Sequence, residues 1–143
     1  MSEDASPSKI ARQWFEDVWH RRDYSAIDRL LDPCAKGHHE GGLETSGPED
    51  YVKFQNSFLA LMPDLRLEIE ALLGDEQEAC VRWIARGTHT GSGMGFKPTG
   101  RPVVIRGMSW LRVVDGLIVE GWDSWNQGDF IASLAGISQK SPV

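Results

Sequence analysis

The 143 residues suffice for one domain, and 41% apolar with 25% charged residues is the composition of an ordinary globular protein. A net charge of −6 leaves no basic patch for nucleic acid or an anionic membrane, and no apolar run reaches bilayer-spanning length. The opening MSEDASPSK lacks the apolar stretch of a signal peptide, so the chain is read as cytoplasmic.

A single domain over 1–143 is expected, with an ordered core over about 6–136 and frayed ends at 1–5 and 138–143. Cys34 and Cys80 form no CxxC and are expected to be small buried hydrophobes.

In chain order, Ser6-Pro7 signals a helix start, and Ile10, Trp14, Phe15, Val18 and Trp19 follow at helical spacing to about Arg21. A short helix covers about Ser25–Leu31. AKGHHEGG is then either a short strand or a loop. Ser46-Gly47-Pro48-Glu49-Asp50 opens a third helix striped by Tyr51, Phe54, Phe58 and Leu59, which Pro63 ends. Four alternating segments follow, at 65–73, 78–90, 102–114 and 117–125, joined by Gly- and Asp-containing turns. The loop GSGMGFKPTG has no helix N-terminus behind it to hold phosphate and reads as a hairpin loop placed to act as a lid. A last helix spans about Asp129–Leu134. The layout predicts an α+β fold: a cone-shaped, curled antiparallel sheet with the three N-terminal helices packed on its concave face.

Strand residues alternate between faces. Odd positions are apolar in every segment, among them Leu67, Ile69, Ala71, Leu73, Val81, Trp83, Val103, Ile105 and Leu111, so the odd face is taken as the inner one. On the last strand this puts Leu117, Val119, Gly121, Asp123 and Trp125 inside and Glu120 outside, with Arg112 or Arg106 as its partner. Only His89, Ser109 and Asp123 break the apolar character of that face. A carboxylate there is costly to ionise unless hydrogen-bonded, which makes Asp123 either a proton acceptor or a strand-end tie for the last helix. His38 and His39 face opposite ways on an extended chain and cannot share a metal ion; one of them reaches the cavity. His89 either donates to a substrate oxygen or caps its turn. On the outer face Ile84, Met108, Trp110, Ile118 and Trp122 would form an apolar patch between arginines, and a homodimer through that face is expected.

PDLRLEIEALL, WIARGTHTGSGMGFKPTGRPV, LRVVDGLIVEGWD and the closing SLAG carry a resemblance to the SnoaL-like polyketide cyclase or ester cyclase family. It runs from about Arg12 to Gly136, and the family lies within the nuclear-transport-factor-two-like superfamily of α+β cones. The resemblance implies ring closure by intramolecular aldol condensation without metal or cofactor. It carries the proton-abstracting aspartate onto Asp123 and the neighbouring-strand donor onto Ser109, where the characterised cyclase type has His. Many relatives carry Asp where Asn126 stands, and superfamily members often pair through the sheet.

The resulting expectation is an enzyme acting on a small apolar or aromatic carbonyl compound. Asp123 is the base, with His89 as a catalytic partner and Ser109 and His38 as further donors. Trp14, Phe54, Trp83 and Trp125 form the walls. Two rivals stand beside it: a non-catalytic binding module with the same cone, and an isomerase of the ketosteroid type. For the isomerase, helix one offers Trp14 and Phe15 but no Tyr.

Overall fold

Residues 6–137 are described by a computed structural model of the chain; the frayed ends expected at 1–5 and 138–143 lie outside them. Pro7 begins α1 (Pro7–Gln13), where its missing N–H costs no hydrogen bond, although the Ser6 hydroxyl makes no cap bond. The helix then widens into a π-helix over Trp14–His20. At an α-helical 100° per residue, Trp19 would stand about 140° from Trp14. Bonding from i to i+5 brings it back over Trp14, and Trp14, Phe15 and Trp19 all face one cavity. The amide of buried Gln55 donates to the Val18 carbonyl at 2.7 Å, within that widened turn.

Asp23 caps α2 (Tyr24–Leu30) by accepting from the Ser25 N–H. The next helix, α3 (Gly47–Leu61), starts at Gly47, which has a φ of 77° and lies so near the Pro33 carbonyl that a Cβ would stand 2.6 Å from its oxygen; both demand glycine. Asn126 caps α4 (Gln127–Leu134) through the Asp129 N–H, a role that Asp fills equally well.

The sheet contains β1 (Leu31–His38), β2 (Glu44–Ser46), β3 (Arg66–Gly74), β4 (Glu78–Thr88), β5 (Pro102–Val114) and β6 (Leu117–Trp125) in the order β2-β1-β6-β5-β4-β3. The α+β reading holds, and the sheet is curled and unclosed. It is mixed rather than wholly antiparallel, because β1 runs parallel to β6. AKGHHEGG supplies the end of β1 and a 3-10 turn at Glu40–Gly42.

Two bulges correct the odd-inside rule. Glu70 is the extra residue between Ile69↔Trp83 and Ala71↔Arg82, so beyond it Leu72 turns inward and Leu73 is 79% exposed. Val119 is extra between Val113↔Ile118 and Arg112↔Glu120, so Ile118 joins the core while Leu117 pairs with outward Val114. Gly121, Asp123 and Trp125 lie beyond that bulge and keep the expected inner face, and all three line the cavity. The outer patch is correspondingly smaller: Ile118 is in the core and Ile84 is buried, which leaves Met108, Trp110 and Trp122 exposed together with Val104 and Val114. Cys34 is exposed rather than buried, and Cys80 is partly buried. No helix among the described residues is long and apolar enough to cross a membrane.

Candidate active site

Helices and sheet enclose a cavity of about 90 Å³, several times the roughly 10–15 Å³ that one water needs. Its walls are mainly apolar. Trp14, Phe54, Trp83 and Trp125, the four expected wall residues, all line it, as do Ser109 and Asp123. Asp123 is the sole carboxylate among the described lining residues.

Cross-strand pairing places the polar groups. Ser109 on β5 lies opposite Asp123 on β6. Ser109 Oγ donates to Asp123 Oδ1 at 2.7 Å and accepts from Trp83 Nε1 at 2.9 Å. Gly107 makes this possible, because a Cβ there would lie 2.5 Å from the Trp83 ring.

The second carboxylate oxygen meets a residue whose face the alternation rule left open. Parallel pairing sets His38 beside Trp122 on the outer face, so the next residue, His39, turns inward. His39 is 8% exposed, and its Nδ1 stands 2.7 Å from Asp123 Oδ2, with Nε2 2.9 Å from Thr45 Oγ1. A carboxylate can only accept, so in the neutral ring Nδ1 carries the proton and Nε2 accepts from the Thr45 hydroxyl. Phe54 stacks on the imidazole with centroids 3.9 Å apart. Gly37 again leaves the room, since a Cβ would fall 2.4 Å from Thr45 Oγ1 and 2.8 Å from His39 Nε2. Asp123 is therefore held at both oxygens while its side chain stays 20% exposed.

Two expected site residues lie elsewhere. His38 is on the outer face, bonded through Nε2 to Glu120 at 2.8 Å and stacked on Trp122. Glu120, chiefly, holds the His38 ring above its ordinary pKa, and His38 in turn lowers that of Glu120. Glu120 also takes Arg112, as expected. His89 is fully buried but does not line the cavity. Val81 pairs with Ser109, and His89 is eight residues further on, roughly 25 Å along an extended strand. Its Nδ1 lies 3.1 Å from Thr99 Oγ1, and its N–H donates to the Arg101 carbonyl, so it ties the turn. None of residues 91–100 lines the cavity; the Gly91 N–H is bonded to the Leu61 carbonyl at the end of α3.

Tyr51, on the first turns of α3, was visible in the sequence only as part of a core stripe, yet it lines the cavity. Trp19 Nε1 donates to its oxygen at 3.0 Å. Burial first, then the negative charge of Asp123, pushes its pKa far above the ordinary phenol value. Among the described residues no group of three or more His, Cys, Asp or Glu side chains is gathered as a metal site.

Several solved structures share this fold. A protein from Jannaschia sp. CCS1, provisionally named a SnoaL-like polyketide cyclase, superposes with a TM-score of 0.83 at 15% identity over 91% of this chain and 92% of that one, a likeness of fold alone. AclR from Streptomyces galilaeus, provisionally named a hydroxylase, is 30% identical, with a TM-score of 0.79 over 95% of this chain and 87% of its own. IdmH from Streptomyces antibioticus, provisionally named a polyketide cyclase, is 26% identical, with a TM-score of 0.79 over 90% and 98%. No curated protein matches. The family model described as SnoaL-like polyketide cyclase matches residues 9–134, and the chain belongs to that family.

Proposed function

We propose that this protein is a cofactor-independent cyclase in which Asp123 removes a carbon-bound proton next to a carbonyl of a small, mainly apolar substrate. The observation that carries the reading is the one carboxylate that the described residues bring to an aromatic cavity, held at both oxygens by Ser109 and His39. The C–H electron pair becomes the enolate π bond, and the carbonyl pair moves onto oxygen. The enolate carbon then attacks a second carbonyl of the same molecule. The alkoxide formed takes back the proton from Asp123, so the product is an isomer and no electrons leave the substrate. His39 and Ser109 fix the carboxylate and leave its remaining lone pairs for the substrate. Base catalysis of this kind contributes about 10²–10⁴-fold, so orientation by the aromatic walls and a donor for the oxygen supply the remainder.

The test is incubation with linear aromatic poly-β-ketone esters, followed by mass spectrometry and oxygen electrode. An isomer of unchanged mass, formed without dioxygen uptake and lost in Asp123→Asn, is expected. Dioxygen uptake with a mass gain of one oxygen atom would move the reading to the hydroxylation that the name of AclR states. Tight binding without any conversion would favour a binding module. We further propose a cytoplasmic homodimer joined through the outer sheet face, where Met108, Trp110 and Trp122 are exposed among arginines and glutamates whose mixed signs suit a self-complementary two-fold contact.

A further inference from the structure

The geometry points to Tyr51 as the donor that holds the substrate's carbonyl oxygen while Asp123 takes the proton. This rests on the proposed role of Asp123 and adds the other half of the reaction, the place where the negative charge goes.

Three hydroxyl side chains line the cavity among the described residues: Thr45, Tyr51 and Ser109. The Ser109 proton is given to Asp123 Oδ1, and with His39 as the neutral ring that donates from Nδ1 to Asp123, the Thr45 proton is given to its Nε2. Tyr51 Oη accepts from Trp19, and no acceptor for its own proton occurs among the described residues. A buried O–H without an acceptor is costly, and a substrate oxygen supplies one.

Trp19 gives its indole N–H to the phenol oxygen, and Trp14 stands edge-on to the same ring with centroids 4.8 Å apart. The Trp14 N–H also favours negative charge on that oxygen. Donors placed on an oxygen polarise its own O–H and strengthen the bond that it gives. Burial and the Asp123 charge nevertheless keep the phenol protonated, so the proton remains available.

Before reaction the negative charge sits on Asp123; as the C–H proton moves to Asp123, that charge appears on the substrate oxygen. A phenol already oriented there gains in the transition state and little in the ground state, the condition under which a contact accelerates a step.

The probe is 2-tetralone, an enolisable aromatic ketone, with exchange of its C1 protons in D₂O followed by NMR. Wild type is expected to catalyse exchange, Asp123→Asn to slow it about 10²–10⁴-fold, and Tyr51→Phe to slow it about 10²–10³-fold with the Kd changed less than about threefold. Full exchange by Tyr51→Phe overturns the role of Tyr51 and leaves the base intact. Full exchange by Asp123→Asn, or none by wild type, overturns the base reading. Because Tyr51→Phe strands the Trp19 N–H and can cost stability, a second measurement uses Asp123→Asn alone with 2-naphthol as an oxyanion mimic. Its bound absorbance should titrate at least one pH unit below that of free naphthol. A bound naphthol titrating at or above the free value overturns the proposal whether or not Tyr51→Phe folds.

Discussion

Asp123→Asn and Asp123→Ala should differ sharply, because His39 can reverse its tautomer. In the wild type Asp123 accepts from Ser109 at Oδ1 and from His39 Nδ1–H at Oδ2. An Asn in the same rotamer keeps an oxygen toward Ser109 and presents an NH₂ to His39. The imidazole then accepts at Nδ1 and donates from Nε2 to Thr45 Oγ1, 2.9 Å away, so Ser109 and His39 both keep their partners and the Thr45 proton alone must turn to water. The net cost is one charge-assisted bond against relief of a buried charge, within about 1 kcal/mol. At about 4 °C per kcal/mol for a chain of this length, the thermal midpoint moves by about 4 °C or less. Alanine leaves Ser109 and His39 without their common acceptor, at about 1–3 kcal/mol for each group. Water entering the space offsets part of this, so a loss of at least about 2 kcal/mol, or about 8 °C, is expected. Both variants lose the proposed base and should slow turnover about 10²–10⁴-fold. Calorimetry measures the midpoints, and long-range ¹⁵N NMR reads which ring nitrogen of His39 is protonated: Nδ1 in the wild type, Nε2 in Asp123→Asn. An Asn variant as unstable as the Ala variant, with the His39 proton still on Nδ1, would refute the reasoning.

Gly37→Ala should push the His39 ring off Thr45 and lower both activity and stability, the latter by about 1–3 kcal/mol on denaturant titration. On the outer face, Glu120 raises the His38 pKa above the ordinary 6.5, and His38 lowers that of Glu120 below 4.5. The histidine contribution is full below 6.5 and fades as pH rises through its higher folded value; the glutamate contribution is full above 4.5 and fades as pH falls. Their pairing therefore acts between about pH 4.5 and 6.5, and NMR titration should show His38 above 6.5 in the wild type and lowered toward it in Glu120→Gln. Light scattering at micromolar concentration should give twice the chain mass for the wild type and the single mass for Trp110→Glu; a wild-type monomer would remove the proposed interface.

Much of this site was legible because its residues sit on strands with strong alternation. Trp83, Ser109, Asp123 and Trp125 are all odd-numbered, and counting by two finds them together. Beyond the bulge Gly121, Asp123 and Trp125 pair with Leu111, Ser109 and Gly107, odd with odd, so counting by two holds there, and the residues misplaced are Leu117 and Ile118 before it. Bulges at Glu70 and Val119 carry no side-chain signature in this sequence; each is defined by the partner strand, which a one-dimensional pattern does not contain.

The remaining site residues depended on a pairing across the chain. Nothing local decides between His38 and His39, since both neighbours are polar and the segment is short. The decision comes from β6, more than eighty residues away in sequence, where Gly121 pairs with Gly37 and Trp122 with His38. Once β1 lies parallel to β6, His38 must pass to the Trp122 side and His39 to the Asp123 side. Two glycines facing each other at that register leave the space that the His39–Thr45 contact and the Leu111 side chain fill. Tyr51 escaped notice for a different reason: an aromatic at helical spacing is most often core, and Tyr51 is indeed buried at 9% exposure. Its phenol oxygen becomes informative only beside Trp14 and Trp19, and these converge because the helix carrying them is π-wound rather than α-wound. The Asp123–His39 pair and the Trp19–Tyr51 bond thus rest on two departures from regular backbone geometry, a parallel strand at the edge of an antiparallel meander and a widened turn in the first helix.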